Sequence, residues 1–345
     1  MRHPPLSAEW IDRPHQRLAL GRFVLDSGEA IEDCELIYVV HGKLDADRRN
    51  AILVLPAIHS THHRLDFLIG AGRALDPARW CVICVDALGN GLASSPSNSR
   101  RQPLMSFPRF GIRDMVRSQQ QLVRAQLGID RLACVIGASM GGMQALQWGV
   151  SFPQAMESIV AMTPMARTSP WSRVVNEAYR RALMTPGPWW NKSGEQVDWQ
   201  PWVLVQLLAG RTPQSVASEF ADGQDIAAWV AQRSRTLATQ APNPVDRVYQ
   251  TWAYDAHDVG RADGFSGDTA AALASVRART LVLAPPLDLY NPVDEARFVA
   301  AHVPGARLQT IVSDAGHQAT TSMRAQDAQF VDRSVREFME LAAIT

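Results

Sequence analysis

A short glycine-containing stretch in the middle of the chain carries the clearest sign of chemistry. Residues 137–141 read GASMG, between an apolar run at 132–136 and an apolar helical pattern at 140–150. A G-x-S-x-G sequence between a strand and a helix is typical of a nucleophile elbow, where glycines permit a tight turn that exposes the serine hydroxyl. We therefore predict that Ser139 is the nucleophile of an acyl-transfer reaction.

A serine hydroxyl is a weak nucleophile at neutral pH, so it needs a histidine base and a carboxylate that orients the base. Asp288 follows the apolar run 280–284, and His317 follows an apolar stretch at 308–312. Other residues remain open as alternatives, namely Asp294 and Asp314 for the acid and His257 and His302 for the base. We predict Asp288 and His317, because both lie in loops after strands and give the chain order serine, aspartate, histidine.

Acyl transfer also requires hydrogen-bond donors for the negative charge that develops on the carbonyl oxygen. One expected donor is the backbone N–H of Met140, which follows the predicted nucleophile at the start of a helix. The other is the backbone N–H of Ile58, in the loop after the apolar run 51–55. These two groups are the predicted oxyanion hole.

The same loop carries His59, His62 and His63. Three histidines without a pattern such as HExxH are a weak indication of zinc, so we predict no metal site. We expect one of them to line the substrate pocket and the rest to be exposed to solvent. The candidates for substrate contact are His59 and His62, together with Gln318 and Tyr290 beside the predicted base and acid.

Short apolar runs alternate with helical patterns along much of the chain. The predicted strands lie at 35–40, 51–55, 81–85, 132–136, 158–162 and 280–284, and the predicted helices at 111–127, 140–150 and 325–343. Strands that alternate with helices indicate a mostly parallel sheet flanked by helices. With the elbow and the residue order, this predicts an α/β-hydrolase fold.

One segment, residues 164–261, breaks this alternation. It has a helical character and holds seven of the ten tryptophans. We predict that it is a helical cap inserted into a core formed by residues 1–163 and 262–345. Most of its tryptophans are expected to pack small helices together.

Composition narrows the classes of partner. Lys and Arg number 34, and so do Asp and Glu, so the formal net charge is zero. This balance disfavours nucleic acid and anionic membranes as partners.

The N-terminus lacks the pattern of a signal peptide, so we expect a cytoplasmic protein. Cys81 and Cys84 form a CxxC inside a predicted strand, where residues three apart face opposite ways, so we expect ordinary buried thiols.

Several stretches resemble the homoserine O-acetyltransferase family and its hydrolase-like relatives. They are NAILV at 50–54, LIGAGRALD at 68–76, IRDMVRSQ at 112–119, the elbow with the helix after it at 137–148, and Gly316-His317. The resemblance implies an α/β-hydrolase fold and a Ser-Asp-His triad. It also implies a homodimer formed through cap helices.

The residue after the predicted base departs from the family pattern. The acetyltransferases have Gly-His-Asp there, with the Asp expected to hold the amino group of the acceptor, whereas this chain has Gln318, which lacks that charge. The sequence therefore favours a hydrolase of a small ester, thioester or amide that needs no cofactor. The alternatives are an O-acyltransferase that uses acyl-CoA and a hydroxyl acceptor, and a non-catalytic binding scaffold.

Overall fold

The computed structural model describes residues 3–184, 187–220, 223–240 and 243–340. Its centre is one eight-stranded sheet with the order β1-β2-β4-β3-β5-β6-β7-β8. The strands are β1 (Gln16–Val24), β2 (Ala30–His41), β3 (Ala51–Leu55), β4 (Cys81–Val85), β5 (Leu132–Ala138), β6 (Met156–Met162), β7 (Arg279–Ala284) and β8 (Arg307–Thr310). The pairs β1/β2 and β2/β4 are antiparallel, and all other neighbours are parallel.

All six predicted strands are confirmed. The strand predicted at 35–40 is longer, because β2 extends along the antiparallel edge strand β1. The sequence analysis missed β1, in which only Phe23 is fully buried. An edge strand with one buried residue leaves no continuous apolar run to detect.

Helices cover both faces of the sheet. They are α1 (Ile112–Gln121), α2 (Met140–Ser151), α3 (Pro170–Leu183), α4 (Gln200–Gly210), α5 (Pro213–Ala217), α6 (Ile226–Gln240), α7 (Pro244–Asp255), α8 (Thr269–Ala274), α9 (Val293–His302) and α10 (Ala325–Glu340). In place of the helix predicted at 111–127, the structure has α1 up to Gln121, followed by a π-helical turn, Leu122–Gln126. The last residues of the helix predicted at 325–343 lie outside the described residues.

The core has two layers because successive residues of a strand face opposite sides of the sheet. Leu53 and Leu55 of β3 belong to an apolar cluster that also contains Leu146 of α2. Ile52 of the same strand belongs to a second cluster with Val335 of α10. Burial on both faces fixes the sheet rigidly, so the loops at the carboxyl ends of its parallel strands are held at defined positions.

Helices α3 to α7 all lie between β6 and β7, in the segment where the sequence predicts the cap. Among its tryptophans, Trp189, Trp199, Trp202 and Trp229 are buried, whereas Trp171 is 52% exposed. We propose that residues 164–261 form the cap over a core of residues 1–163 and 262–345. Within the described part of the chain, no helix has the length and apolar character needed to cross a bilayer.

Candidate active site

The predicted elbow is a sharp turn between β5 and α2. Ser139 has a φ of 57° and a ψ of −119°, a conformation that is strained for a residue other than glycine. Its backbone N–H donates a hydrogen bond of 2.8 Å to the Met162 carbonyl at the end of the neighbouring strand β6. The turn therefore holds the serine in one orientation at the carboxyl edge of the sheet.

Two glycines of the elbow are required by close backbone packing. A Cβ on Gly137 would lie 2.4 Å from the Gly141 carbonyl group, and a Cβ on Gly141 would lie 2.5 Å from the Leu55 carbonyl oxygen. Both distances are too short for a non-bonded carbon and oxygen. Helix α2 thus packs against the ends of β5 and β3 in a way that only glycine permits.

We expect the Gly141→Ala variant to lose about 1–3 kcal/mol of unfolding free energy, because the added methyl group meets rigid backbone and not a movable side chain. Chemical denaturation followed by circular dichroism measures this loss. Gly111→Ala is the matched control, since its Cβ would meet only the Asp114 carboxylate at 3.7 Å. Equal stability of the Gly141→Ala variant and the wild type would contradict the packing argument.

The hydroxyl of Ser139 is joined to His317 and Asp288 by two hydrogen bonds. Ser139 Oγ lies 2.9 Å from His317 Nε2, and His317 Nδ1 lies 2.7 Å from Asp288 Oδ2. Because the carboxylate can only accept, Nδ1 donates to it and Nε2 is left free to accept the serine proton. All three side chains are buried, with 8% or less of each residue exposed.

Asp288 is itself fixed by the loop after β7. Its Oδ1 accepts hydrogen bonds from the backbone N–H groups of Tyr290, at 2.8 Å, and Asn291, at 2.9 Å. The Asn291 side chain in turn donates to the Thr163 carbonyl at 2.7 Å. One oxygen of Asp288 therefore orients the carboxylate, and the other faces His317.

The competing acids and bases lie elsewhere. Asp294 pairs with Arg297 and Asp314 with Arg324, while His302 Nδ1 donates to the Phe298 carbonyl in its own helix. His257 is buried against the Met165 carbonyl, and burial lowers its pKa to about 4. Neither of these histidines is hydrogen-bonded to Ser139.

The two backbone N–H groups predicted as the oxyanion hole belong to the residue after Ser139 and to the loop after β3. Met140 is the first residue of α2, so its N–H has no acceptor inside the helix. Ile58 follows β3, and its N–H has no acceptor among the described residues. Gln144 of α2 donates to the Pro56 carbonyl at 3.1 Å, which ties this loop to the helix of the elbow.

The sequence analysis missed Tyr254 of α7. Its hydroxyl donates to Asn291 Oδ1 at 2.6 Å. Burial raises the pKa of the phenol, and the nearby Ser139 and Asn291 side chains partly oppose that shift. Helix α7 thus brings a neutral hydroxyl to the predicted nucleophile, and no local motif in the helical segment could have indicated it.

His59 connects the loop after β3 to α7. Its backbone N–H donates to Gln250 at 2.7 Å, and its Nε2 donates to the Arg247 carbonyl at 3.0 Å. Burial and the nearby Arg247 charge hold its pKa well below the ordinary value. A cavity of about 270 Å³ is lined by His59, Arg247 and Thr321, and Thr321 lies a few residues after the predicted base. A role of His59 in substrate contact stays a prediction.

Two other predicted contact residues take different positions. Tyr290 is buried and donates from its hydroxyl to Asn176 at 2.6 Å, while its ring packs edge-on against His317. The Tyr290 hydroxyl is thus engaged in a hydrogen bond inside the protein, and these contacts do not support a role in substrate binding. Gln318 is half-buried, and its side-chain amide lies close to Gly210 of α4. A Cβ added to Gly210 would be 3.5 Å from the amide nitrogen of Gln318.

The expectation that two of the three loop histidines face solvent is wrong. His62 and His63 are both buried, with side chains 1% and 2% exposed. The reason is that His62 donates to Asp86 and His63 donates to Asp66, so carboxylates hold both rings in the interior. His62 does not line the cavity, and these contacts do not support its predicted role in substrate binding.

The CxxC thiols are buried, as expected. Burial raises the pKa of Cys81 to about 11 and that of Cys84 well above its ordinary value. Thiols held in the protonated form are poor nucleophiles and metal ligands. The CxxC therefore contributes to packing in β4.

Comparison with known proteins agrees with this fold. The model of the alpha/beta hydrolase fold family matches residues 50–319. The ethyl acetate hydrolase of Pseudomonas veronii is 30% identical over 345 residues, which cover 95% of this chain and 95% of that protein. The homoserine O-acetyltransferase of Cyclobacterium marinum is 28% identical over 312 residues, covering 86% of this chain and 87% of that protein.

A solved structure is similar over nearly the whole chain. An acetylester hydrolase from Corynebacterium glutamicum superposes with a TM-score of 0.87 at 28% sequence identity, covering 95% of this chain and 96% of that one. The similarity includes the helical segment between β6 and β7, and not only the sheet.

Proposed function

This chain belongs to the alpha/beta hydrolase fold family and is a serine hydrolase or acyltransferase of that fold, and we propose that it hydrolyses small esters through an acyl-enzyme on Ser139. The observation that carries the proposal is the continuous hydrogen-bonded line from Ser139 through His317 to Asp288. It supplies a nucleophile, a base with a free Nε2 lone pair, and a carboxylate that orients the base.

In the first half-reaction Ser139 Oγ attacks the ester carbonyl carbon while His317 Nε2 accepts the serine proton. Asp288 stabilises the imidazolium that forms. The N–H groups of Met140 and Ile58 donate to the oxyanion of the tetrahedral intermediate. Collapse of the intermediate breaks the bond to the leaving alkoxide, which takes the proton from His317 and departs as an alcohol.

In the second half-reaction water replaces the alcohol. His317 takes a proton from the water as its oxygen attacks the acyl carbon, and the second tetrahedral intermediate uses the same oxyanion donors. When this intermediate collapses, Ser139 Oγ leaves and recovers its proton from His317. The products are a carboxylic acid and the free enzyme.

Two observations favour water over a hydroxyl acceptor. Gln318 stands beside His317 where the acetyltransferase pattern has an aspartate, so this position offers no negative charge for an amino-acid acceptor. The similarity to the ethyl acetate hydrolase also spans more of both chains than the similarity to the acetyltransferase. We propose acetyl and other short acyl esters as the substrate class.

The second candidate is O-acyl transfer from acyl-CoA to a hydroxyl acceptor, which uses the same acyl-enzyme. The similarity to homoserine O-acetyltransferases over 86% of the chain supports it. The two candidates differ only in what attacks the acyl-enzyme, because both need the same nucleophile, base and oxyanion donors.

The test compares acceptors directly. Purified protein is given a chromogenic acetyl ester or acetyl-CoA, each with and without homoserine or serine. We expect ester cleavage at a rate that the acceptors do not change, and no acceptor-dependent release of CoA. Release of CoA that depends on homoserine or serine would instead establish the transferase.

We further propose a cytoplasmic homodimer formed through the cap. The cap segment exposes several large apolar side chains, among them those of Trp171, Val174, Leu204, Leu208 and Ile226. Apolar side chains concentrated on one segment are typical of an association surface. Light scattering after gel filtration is expected to give a mass of two chains, and a mass of one chain would refute the dimer.

A further inference from the structure

Four of the nine histidines meet where residues 3–15, the N-terminal segment, contact the 3-10 helix His62–Leu68 that follows β3. They are His3, His15, His62 and His63, with ring centroids between 4.1 and 5.4 Å apart for five of their pairs. None of them belongs to the hydrogen-bonded line of Ser139, His317 and Asp288. We call His3, His62 and His63 the histidine cluster.

Carboxylates fix the proton positions on two of these rings. His62 Nδ1 lies 2.9 Å from Asp86 Oδ2, and His63 Nδ1 lies 2.6 Å from Asp66 Oδ2. The other Asp86 oxygen already accepts from the His62 backbone N–H and from Asn90. Because a carboxylate only accepts, each Nδ1 carries the hydrogen and each Nε2 carries a lone pair.

The third ring has the same arrangement. His3 Nδ1 lies 2.7 Å from the Pro4 carbonyl oxygen, which can only accept, so His3 Nε2 also carries a lone pair. The Nε2 atoms of His3, His62 and His63 are all buried, and none has a hydrogen-bond partner among the described residues. The ligand atoms of the three side chains lie within 4.8 Å of one another.

Three buried lone pairs that converge without a donor repel one another and lose the hydrogen bonds they would make in water. A cation that accepts three nitrogen ligands would remove this repulsion and satisfy all three nitrogens. Histidines that donate Nδ1–H to a carboxylate or a carbonyl are the usual ligands of zinc.

We propose that the histidine cluster binds one divalent transition-metal ion, of which zinc is the best match. Imidazole nitrogen suits zinc, and three protein ligands leave one position for a further ligand. His15, whose ring centroid lies 4.9 Å from that of His62, or a water molecule fills this position. Asp66 and Asp86 orient the ligands without contacting the ion.

The geometry requires a small contraction on binding. Zinc–nitrogen distances of about 2.0–2.1 Å place two tetrahedral ligands about 3.3 Å apart, so ligand atoms that now lie within 4.8 Å of one another would draw together by up to about 1.5 Å. The cavity of about 270 Å³ touches His63 and Asp66 and offers a route of entry.

The ion would fasten the N-terminal segment to the core. This segment already contacts the cluster, because Trp10 stacks on His63 at 4.5 Å and the Ile11 N–H donates to Asp66 at 2.8 Å. A bond from His3 to an ion shared with His62 and His63 adds a link across about 60 positions of the chain. We therefore assign the site a structural role.

The test uses protein without a polyhistidine tag, stripped with a chelator and titrated with zinc in a calorimeter. We expect one equivalent to bind, and we expect cobalt(II) in its place to give the visible bands of a tetrahedral ion. His3→Gln is expected to weaken zinc affinity at least 100-fold, and Asp66→Asn about 10- to 100-fold. His3 is only partly buried and belongs to neither apolar core cluster, so its replacement leaves the core intact.

His302→Gln is the matched control, because this histidine lies in α9 with its Nδ1 bonded inside its own helix. Its zinc affinity is expected to equal that of the wild type. The proposal is overturned if the wild type binds no zinc, or if His3→Gln binds it as tightly as the wild type. Ester hydrolysis is not the readout, so the outcome is independent of the proposed function.

Discussion

Replacing Ser139 with alanine is expected to lower kcat/KM for a short-chain ester by about 10⁴- to 10⁶-fold. The variant keeps the buried His317–Asp288 pair and the oxyanion donors but has no atom on which to form the acyl-enzyme. Loss of the nucleophile in a serine protease reduces kcat by up to about 10⁶-fold, and the remaining rate comes from the oxyanion hole and binding. The measurement is steady-state hydrolysis of a chromogenic ester, with mass spectrometry of enzyme quenched during turnover to detect the acyl group.

Ser275→Ala is the matched control, because this half-buried serine donates only to the Ala272 carbonyl in its own helix. It is expected to retain wild-type activity. The double variant Ser139→Ala/His317→Ala should be no slower than Ser139→Ala alone, since the base has nothing to deprotonate once the serine is absent. Activity within about tenfold of the wild type in a folded Ser139→Ala sample would exclude Ser139 as the nucleophile.

The parts of the molecule that could be predicted from sequence are those defined by residues that lie close together in the sequence. The strands at 51–55, 81–85 and 280–284 are continuous apolar runs because parallel strands are buried on both faces. Ser139 was predictable because the glycines beside it are required within a few residues. Asp288 and His317 followed from positions after strands, and the structure brings both to Ser139.

What could not be predicted depends on contacts between distant segments. Tyr254 joins the site through its hydrogen bond to Asn291 in the loop after β7, and its own neighbours in the sequence give no sign of this. The environment of His62 depends on Asp86, 24 residues away, at the end of the adjacent strand β4. The sequence alone could not place that carboxylate, or His3, beside the histidines of this loop.

The same dependence on distant contacts limits what sequence says about substrate. His59 donates to α7 through both its backbone N–H and its ring. The loop after β3 and the helical segment therefore form one wall of the cavity of about 270 Å³. A change in α7 would therefore shift the Ile58 N–H as well as the cavity. We therefore propose that substrate choice and oxyanion stabilisation are coupled, although they belong to different segments.

Replacing Asp288 with asparagine is expected to lower kcat by about 10⁴-fold, with little change in stability. An aspartate-to-asparagine change at the corresponding position of a serine protease triad keeps the geometry and leaves histidine in the wrong tautomer. Asp294→Asn is the matched control, because this exposed carboxylate pairs only with Arg297 in its own helix. Ester hydrolysis and thermal unfolding of both variants measure the two effects separately.

The direction of the asparagine amide makes this prediction specific. The backbone N–H groups of Tyr290 and Asn291 both donate to Oδ1, so the side-chain oxygen of the new amide must stay there. Its NH₂ group then faces His317 Nδ1 and donates to it, which moves the histidine proton to Nε2. A protonated Nε2 at 2.9 Å from Ser139 Oγ cannot accept the serine proton. A variant that retained more than about a tenth of wild-type kcat would show that Asp288 does not set the tautomer of His317.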